Sequence, residues 1–419
     1  MKNIYTSIDI GSDTIKVVTC ELYHNKLNLL AASSVKSKGI KKGLITDVKE
    51  ASASVRKALD EVEAMLGISI HRVVASVPSY FAMYNTVGNS ISLPPQEEDG
   101  EQYVISGDEV VEVLQKAVLA NLKKGQEMVT VMPLDFNVDG KVVKDPKGLT
   151  GTTLATRGIM VTTPSKNIYS VVGLLENMGI EVVDISTSSI GDIYTFKNKK
   201  IDQSTGAIIN IGAETTTVSI YKKGILVASN ILQIGGKNID NDIAYMYKLS
   251  LPKAQKVKEQ FALAHKAHAN PNELIEVETE TQDLVKINQY EVSEIVMSRL
   301  EEILTLAKKE INILNSQSVD YIIITGGTTN ILHFRYIVDE IFHGKATIGN
   351  IKLVGIRNNK YSSAVGNIVY FIGKLKLKEK NYSMVSNQDA MDLSSSKKNS
   401  INISNDTMLG KIFGYFFSE

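Results

Sequence analysis

Two short stretches of the chain cluster acidic, hydroxyl and glycine residues behind an apolar, β-prone run. The first is Ser7-Ile8-Asp9-Ile10-Gly11-Ser12-Asp13-Thr14-Ile15-Lys16; the second is Ile208-Ile209-Asn210-Ile211-Gly212-Ala213-Glu214-Thr215-Thr216-Thr217. A shift of 201 positions aligns Ile8 with Ile209, Asp9 with Asn210, Gly11 with Gly212, Thr14 with Thr215 and Val17 with Val218. Each run meets a glycine turn and leaves through Thr-rich sequence, the pattern of a hairpin (residues 14–22 and 215–221). Glycine lets a backbone come close to phosphates, and successive N–H groups make an anion-binding concavity. An acid at such a turn can hold magnesium through water. Two of these hairpins facing each other would grip a polyphosphate from both sides, as a two-lobed nucleotide clamp does. Either copy taken alone also reads as an ordinary hairpin turn, with Asp9 as a turn residue.

Other reactive residue types form no such pattern. The six histidines lack metal-ligand spacing; His265 and His268, beside Lys266, read as the solvated face of a helix. No Ser/His/Asp arrangement is visible. The single Cys20 excludes an internal disulfide, suits a reducing cytoplasm, and reads as a small buried hydrophobe. Lys+Arg 46 against Asp+Glu 46 leaves no net charge, so bulk charge does not argue for nucleic acid. Asp9 interrupts the only apolar run near the N-terminus, which argues against a signal peptide. No apolar stretch is long enough to span a bilayer.

These sites need a scaffold of more than one core, since 419 residues suggest two or more domains. Residues 4–82 read as strands, then a helix at 49–66, whose Val55, Leu59, Val62 and Leu66 share one face, then a strand at 72–77. Residues 85–165 read as a small α+β insert: a strand at 87–93, the acidic turn Gln96-Glu97-Glu98-Asp99-Gly100, a helix at 106–121 and strands near 128–138 and 153–161. Leu174 to Met178 belong to a further helix that ends at Gly179. The second hairpin region (206–234) leads to helices at 237–249 and 252–267, a strand pair within 276–287 and a long amphipathic helix at 292–315. Tyr321-Ile322-Ile323-Ile324-Thr325-Gly326-Gly327 reads as a buried strand ending in a double-Gly turn. Helices at 331–342 and 364–375 close the globular part, and the Lys/Ser/Asn-rich residues 376–405 read as a disordered linker.

The last residues are apolar again. Met408, Leu409, Ile412, Phe413, Phe416 and Phe417 recur at i, i+1, i+4, i+5, i+8 and i+9, one face of a helix that Asp406 or Thr407 can cap. A helix this short is marginal alone in water and needs a surface. Its own body, a partner groove or a membrane interface would each serve.

Taken in order, these features resemble the actin-like ATPases and, within them, the FtsA family of bacterial cell-division proteins. The resemblance rests on Asp9-Ile10-Gly11; on Gly39-Ile40-Lys41-Lys42-Gly43-Leu44-Ile45-Thr46-Asp47; on Gly235-Gly236, Asn238-Ile239 and Asp242-Ile243; on Thr325-Gly326-Gly327; and on Gly355-Ile356-Arg357 through Ala364-Val365-Gly366. Pro133-Leu134-Asp135-Phe136-Asn137-Val138-Asp139-Gly140 and Asp145-Pro146 fall in the insert, which is similar to that family's domain 1C. The resemblance implies an α/β fold: an actin-like two-lobed clamp of ribonuclease-H-like repeats, with the 1C insert, the linker and the C-terminal amphipathic helix. It divides the chain into subdomain 1A (1–84, 164–200, 355–375), 1C (85–163), 2A (201–234, 320–354), 2B (235–319), the linker (376–405) and a membrane-targeting helix (406–419).

The resemblance also implies cofactors and roles. ATP and Mg2+ would sit in the clamp. Gly11, Ser12, Asp13, Thr14 and Lys16 would form the first phosphate loop, and Asn210, Gly212, Glu214, Thr215 and Thr216 the second, with Asp9 and Asn210 facing magnesium through water. Gly235, Gly236, Gly326 and Gly327 would surround ribose and adenine, with Lys258 near the nucleoside; a structural turn and a solvated helix lysine are the alternatives. Asp240 is given no role. The second loop departs from the family's Asp-x-Gly-Gly-Gly-Thr: Asn210 brings no charge, and Glu214 adds an anion that costs free energy unless it meets the metal or a base. Hydrolysis is therefore expected to be slow or absent. Arg299 would receive the acidic, apolar C-terminal peptide of FtsZ, unless it only pairs with Glu301 or Glu302.

The function implied is a cell-division adaptor that binds ATP, polymerises head to tail and tethers the FtsZ ring to the cytoplasmic face of the membrane at the septum, with later division proteins meeting the 1C insert and no nucleic acid bound. A pilus-assembly actin homologue is an alternative that usually lacks the terminal helix. An actin-fold small-molecule kinase would need a carboxylate base and a substrate pocket in the cleft.

Overall fold

In the computed structural model, residues 3–94, 103–386, 388–390 and 393 are described. The first sheet grows from a meander, β1 (Asn3–Ile10), β2 (Thr14–Tyr23) and β3 (Lys26–Lys36), followed by the small hairpin β4 (Ile40–Lys41) and β5 (Leu44–Ile45), the helix α1 (Val48–Leu66) and β6 (Arg72–Ser76). The insert contains β7 (Met83–Ser92), α2 (Gly107–Leu119), β8 (Gln126–Val138), β9 (Lys141–Val143) and β10 (Thr153–Pro164). The chain returns through α3 (Ser165–Glu176), β11 (Glu181–Ser186) and α4 (Ser188–Phe196). A second meander, β12 (Thr205–Ile211), β13 (Thr216–Lys222) and β14 (Ile225–Leu232), precedes α5 (Gly236–Tyr247), α6 (Leu251–Gln260), β15 (Leu274–Glu278), β16 (Leu284–Asn288) and α7 (Gln289–Leu314). Then come β17 (Tyr321–Thr325), α8 (Phe334–Phe342), β18 (Ala346–Ile348) and α9 (Ser362–Leu377).

The repeat seen in the sequence is a repeat of architecture. One sheet has the order β11-β6-β1-β2-β3, the other β14-β13-β12-β17-β18. In each, an antiparallel meander is extended by parallel strands. Asp9 stands opposite Lys16 and Ile8 beside Ala75; Asn210 stands opposite Thr217 and Ile209 beside Ile324. β1 and β12 are therefore buried on both faces, which is why their sequences are nearly continuous apolar runs. The insert forms its own sheet, β7-β10-β8-β9, with α2 against it.

Local signals explain the helix ends. Asp47 caps α1 by accepting from the Glu50 N–H, and Gly67 closes it at φ 74°. Val55, Leu59, Val62 and Leu66 are buried along it, each contributing roughly 1.5–3 kcal/mol before ordering costs. Ser106 and Glu109 form a capping box at the start of α2.

The two helices through which the chain passes between the sheets cross each other. α4 leads from the first sheet to the second, and α9 follows the second and packs back on β1. They meet at glycine: a Cβ on Gly366 would lie 1.6 Å from the Gly191 carbonyl oxygen.

Several expectations need correction. The helix expected over 252–267 ends at Gln260, because Phe261 to Ala264 turn into the core and the Leu263 N–H bonds to Ser293 Oγ. The helix expected over 331–342 begins at Phe334, after His333 in the left-handed region at φ 65°. His265 and His268 therefore lie on no α-helix. His265 caps a one-turn 3-10 segment, and His268 stacks on His333 (4.9 Å) and packs on Tyr336 (3.8 Å). The expected linker begins too early: the Met384 N–H bonds to the Ile4 carbonyl, and Met384 and Leu393 are buried against the first core. The acidic turn at 96–100 and the tail helix at 406–419 lie outside the described residues.

Candidate functional site

The turns after β1 and β12 open into one cleft between the two sheets, a cavity of about 560 Å³. Asp9, Gly11, Ser12, Asp13, Thr14 and Lys16 line it from the first side. Asn210, Gly212, Glu214 and Thr215 line it from the second, and Gly236, Lys258, Gly326 and Gly327 complete the wall. Thr216 is an exception to the expected set. Side chains alternate along a strand, so Thr216 turns into the core, where its hydroxyl donates to the Ile234 carbonyl at 2.8 Å. Gly235 is not among the residues lining the cleft; a Cβ there would lie 2.7 Å from the carbonyl oxygens of Gly212 and Ala213.

Glycine is required at two of these turns. A Cβ at Gly11 would lie 2.9 Å from both Lys16 Nζ and the Thr14 carbonyl oxygen. Gly326 has φ +100°, and a Cβ there would lie 2.4 Å from the Ile211 carbonyl oxygen. Lys16 Nζ donates to Asp9 Oδ2 at 3.0 Å, so a cation hangs over the first turn with its counter-charge beside it.

Across the cleft, Asn210 has an acidic partner that the sequence reading missed. Its amide donates to Asp192 Oδ2 at 2.7 Å, and the hydroxyls of Ser362 and Ser363 donate to Oδ1 at 2.6 and 2.9 Å. Burial pushes the Asp192 carboxyl up to about 6; the Ser362, Asn210 and Ser363 donors pull it back, and the charge of Asp9 adds to the rise. Nothing in the sequence marks Asp192, which stands 18 positions from Asn210 on a helix of its own.

Glu214 is not left as an uncompensated anion beside phosphate. Its Oε2 accepts from the Lys42 N–H at 2.6 Å and its Oε1 from Lys237 Nζ at 2.7 Å. Burial raises its pKa, but the Lys237 and Lys42 bonds outweigh that and hold it below the usual value. Lys42 belongs to the β4–β5 turn of the first lobe, so Glu214 fastens the lobes together. Two further bonds do the same: Lys36 Nζ joins Asp13 and Gln255 Oε1, both at 2.7 Å, and Gln233 Nε2 donates to the Tyr80 hydroxyl at 3.3 Å.

Lys258 is no solvated helix lysine. It is buried, pairs with Asp240 at 2.7 Å and donates to the Gly236 carbonyl at 3.2 Å. Asp240, given no role from sequence, therefore holds the one cation expected near a nucleoside. Burial raises the Asp240 pKa, and Lys258 opposes the rise.

Arg299 lies apart from the cleft, in a groove with Asp242, Glu294, Ile295, Ser298 and Glu302. Its guanidinium grips Asp242 in a fork (2.7 and 2.9 Å) and also bonds Glu302. The expected partner Glu302 is present; the stronger partner, Asp242, comes from α5, 57 positions away.

The cleft fits a nucleoside triphosphate in size and chemistry, since ligand pockets run to about 300–1,000 Å³, and its glycine turns leave room that a Cβ would fill. Among the described residues no group of three or more His, Cys, Asp or Glu converges as a metal cage. Asp9 and Asn210 both line the same space and each carries a side-chain oxygen, a donor set that suits magnesium held through water and phosphate rather than by protein alone.

Two duplicated sheets, two crossing connector helices and a phosphate-type cleft between them define an actin-like ATPase fold. Solved structures agree: the PilM-PilN type IV pilus biogenesis complex (TM-score 0.58, 14% identity, covering 90% of this chain and 99% of that one) and MreB5 of Spiroplasma citri bound to ADP (0.54, 13%, 90% and 99%). The family model for cell division protein FtsA matches residues 207–366, and that for the SHS2 domain inserted in FtsA matches 92–162, the insert itself. A model for the type IV pilus assembly protein PilM also matches, over 128–270. The cell division protein FtsA of Bacillus subtilis is 26% identical over 370 residues, covering 88% of this chain and 83% of that protein; that of Streptococcus pneumoniae is 27% identical over 379, covering 89% and 81%. Together, the two FtsA models and these relatives over most of the chain support an FtsA cell-division protein.

Proposed function

We propose that this actin-like cell-division protein binds ATP with magnesium in the cleft, polymerises head to tail, captures the C-terminal peptide of FtsZ at the Arg299 groove and holds the division ring to the cytoplasmic face of the membrane through residues 406–419. The observation that carries the nucleotide part is the pair of facing glycine turns with Lys16 over one of them. Lys16 and the N–H groups of both turns would hold phosphates; Asp9 and Asn210 would hold the magnesium waters; Lys258, fixed by Asp240, would lie along the nucleoside. Bound magnesium would neutralise phosphate charge. The protein's own part is to bind and orient, and hydrolysis is slow or absent because Asn210 contributes no charge.

The test is calorimetric titration of ATP with magnesium. Lys16→Ala removes a phosphate contact. Gly327→Val introduces a branched side chain at a position where a Cβ meets only Lys360 Cβ, at 3.7 Å, so the fold tolerates it. Both variants are expected to fold, Lys16→Ala with a lower melting temperature because Asp9 loses its partner, and both to lose ATP; unchanged affinity in both would refute the placement. Gly326 is the wrong residue for this test because its backbone conformation excludes valine.

The PilM match over 128–270 supports a second reading, an adaptor for a pilus membrane protein. It shares the cleft and differs in the peptide captured, so titrating the FtsZ C-terminal peptide separates the two.

A further inference from the structure

The internal repeat pairs Asp9 with Asn210, yet the two are backed by opposite charges. Behind Asp9 stands Lys16, at 3.0 Å. Behind Asn210 stands Asp192, at 2.7 Å. We infer that Asp192 is the positioning acid of the second loop: from α4 it orients the Asn210 amide, and its presence is the reason that position 210 carries an amide where position 9 carries a carboxylate. This rests on the nucleotide reading above only for its magnesium arm.

The geometry leaves little freedom. Asp192 is 1% exposed. An ionised carboxylate only accepts hydrogen bonds, so every group facing it must donate. Ser362 and Ser363 do so through hydroxyls and Asn210 through its NH2. That fixes which end of the amide points where. Nδ2 faces the connector helices, and Oδ1 is left on the far side, near Gly326, where a Cβ would lie 2.6 Å from it. Asn210 and Ser363 both line the cleft, while Asp192 stands directly behind them. A carboxylate at 210 would meet the carboxylate of Asp192 at hydrogen-bonding distance in a buried place; with both ionised neither could donate, and keeping one protonated would cost stability. Asn210 and Asp192 thus form a matched pair, with the acid moved from the strand to the helix. The same carboxylate joins β12 of the second sheet to α4 and to the start of α9, the elements on which the lobes would turn.

The experiment is an exchange in the full-length protein: Asp192→Asn, Asn210→Asp and the double variant, each followed by thermal unfolding and by ATP calorimetry with and without magnesium. Asn210→Asp is expected to lose the most stability. The double variant restores one donor facing one acceptor and is expected to recover most of that loss. Additive losses in the double variant, or no loss in Asn210→Asp, would overturn the pairing. If Asn210→Asp does not fold, folding of the double variant is itself the rescue, and a double variant that stays unfolded while Asp192→Asn folds counts against the idea. For the positioning role, Asp192→Asn is expected to cut the gain in ATP affinity that magnesium brings by about tenfold, as losing an outer partner of a metal-facing residue does. A purely structural Asp192 would lower affinity equally with and without magnesium, and that result refutes the role. Absence of ATP binding in the unmodified protein would sink the nucleotide reading while leaving the stability exchange to decide the pairing.

Discussion

Glu214 interrupts a loop that would otherwise approach phosphate with bare backbone, and its carboxylate is satisfied by one N–H of the opposite lobe and one lysine of its own. Glu214→Gly should therefore free the β4–β5 turn: amide exchange at Lys42 and Gly43 is expected to speed up by hydrogen-exchange measurement, with the cores unaffected, and unchanged protection would remove Glu214 as the fastening group. Glu109 illustrates a charge that works through a helix end. Burial disfavours its ionised form, but the hydroxyls of Ser106 and Tyr103 and the Ser106 N–H outweigh that and hold its pKa at about 2, against 4.5. The sign follows from linkage: a lowered carboxylate pKa stabilises the fold fully above the unfolded value and ceases to do so as pH falls through the folded one. Glu109→Gln is thus expected to be less stable than the natural protein at pH 7, with the gap closing between about pH 4.5 and pH 2 in urea titrations. A gap constant across that window would show that the charge is not what stabilises the cap.

Helix α9 carries two glycines with opposite meanings. Gly366 lies where the crossing with α4 brings backbone to backbone, and Gly373 faces open space. Gly366→Ala is expected to cost about 3 kcal/mol, at the upper end of overpacking penalties. Gly373→Ala is expected to gain up to about 1 kcal/mol from helix propensity. Denaturant unfolding of both variants measures the contrast, and equal effects would mean that the helices do not cross as described. On α7 the Arg299 guanidinium is already paired with Asp242 from α5, so an acidic peptide must compete with that fork. Arg299→Glu is expected to abolish binding of the FtsZ peptide while sparing ATP, and Asp242→Asn, by freeing the guanidinium, to strengthen it. Peptide affinity that ignores both changes would move the proposed capture site elsewhere.

Across the molecule, bonds fasten one lobe to the other around the cleft, among them Lys36 to Gln255, the Lys42 N–H to Glu214, Gln233 to Tyr80 and, behind the cleft, Asn210 to Asp192. Nucleotide in the cleft would touch both sides, so its occupancy would set how the lobes face a neighbouring subunit, a head-to-tail contact of the kind that builds filaments. The C-terminal arm is anchored as well. Met384 and Leu393 lie in the first core, leaving only residues 394–405 between that anchor and the proposed membrane segment. Among the described residues no helix is long and apolar enough to cross a membrane. Deleting 407–419 is expected to release the protein from liposomes in flotation assays and leave ATP binding intact. With Lys411 the only basic residue there, attachment of the full chain should depend weakly on salt. Flotation of the truncated protein would remove the membrane part of the proposal.

Periodicity and spacing made the frame of this protein legible. The apolar runs before Gly11 and Gly212, their shared spacing and the face of α1 all depend on neighbours close in sequence, so strands, turns and the duplicated clamp could be read directly. The missed charge partners have one cause. Asp192 meets Asn210, Asp240 meets Lys258 and Asp242 meets Arg299 only because separate elements bring them together, and no local pattern encodes such a meeting. Thr216 was misjudged because the facing of a strand residue depends on register. Residues 261–264 looked helical because an apolar run reads alike in a helix and in a turn pressed into a core; packing against α7 and Leu332 chose the turn. A chain's local preferences select its elements, while the partners of its buried charges are selected by the burial itself, which makes an unpaired group costly enough to exclude every other arrangement.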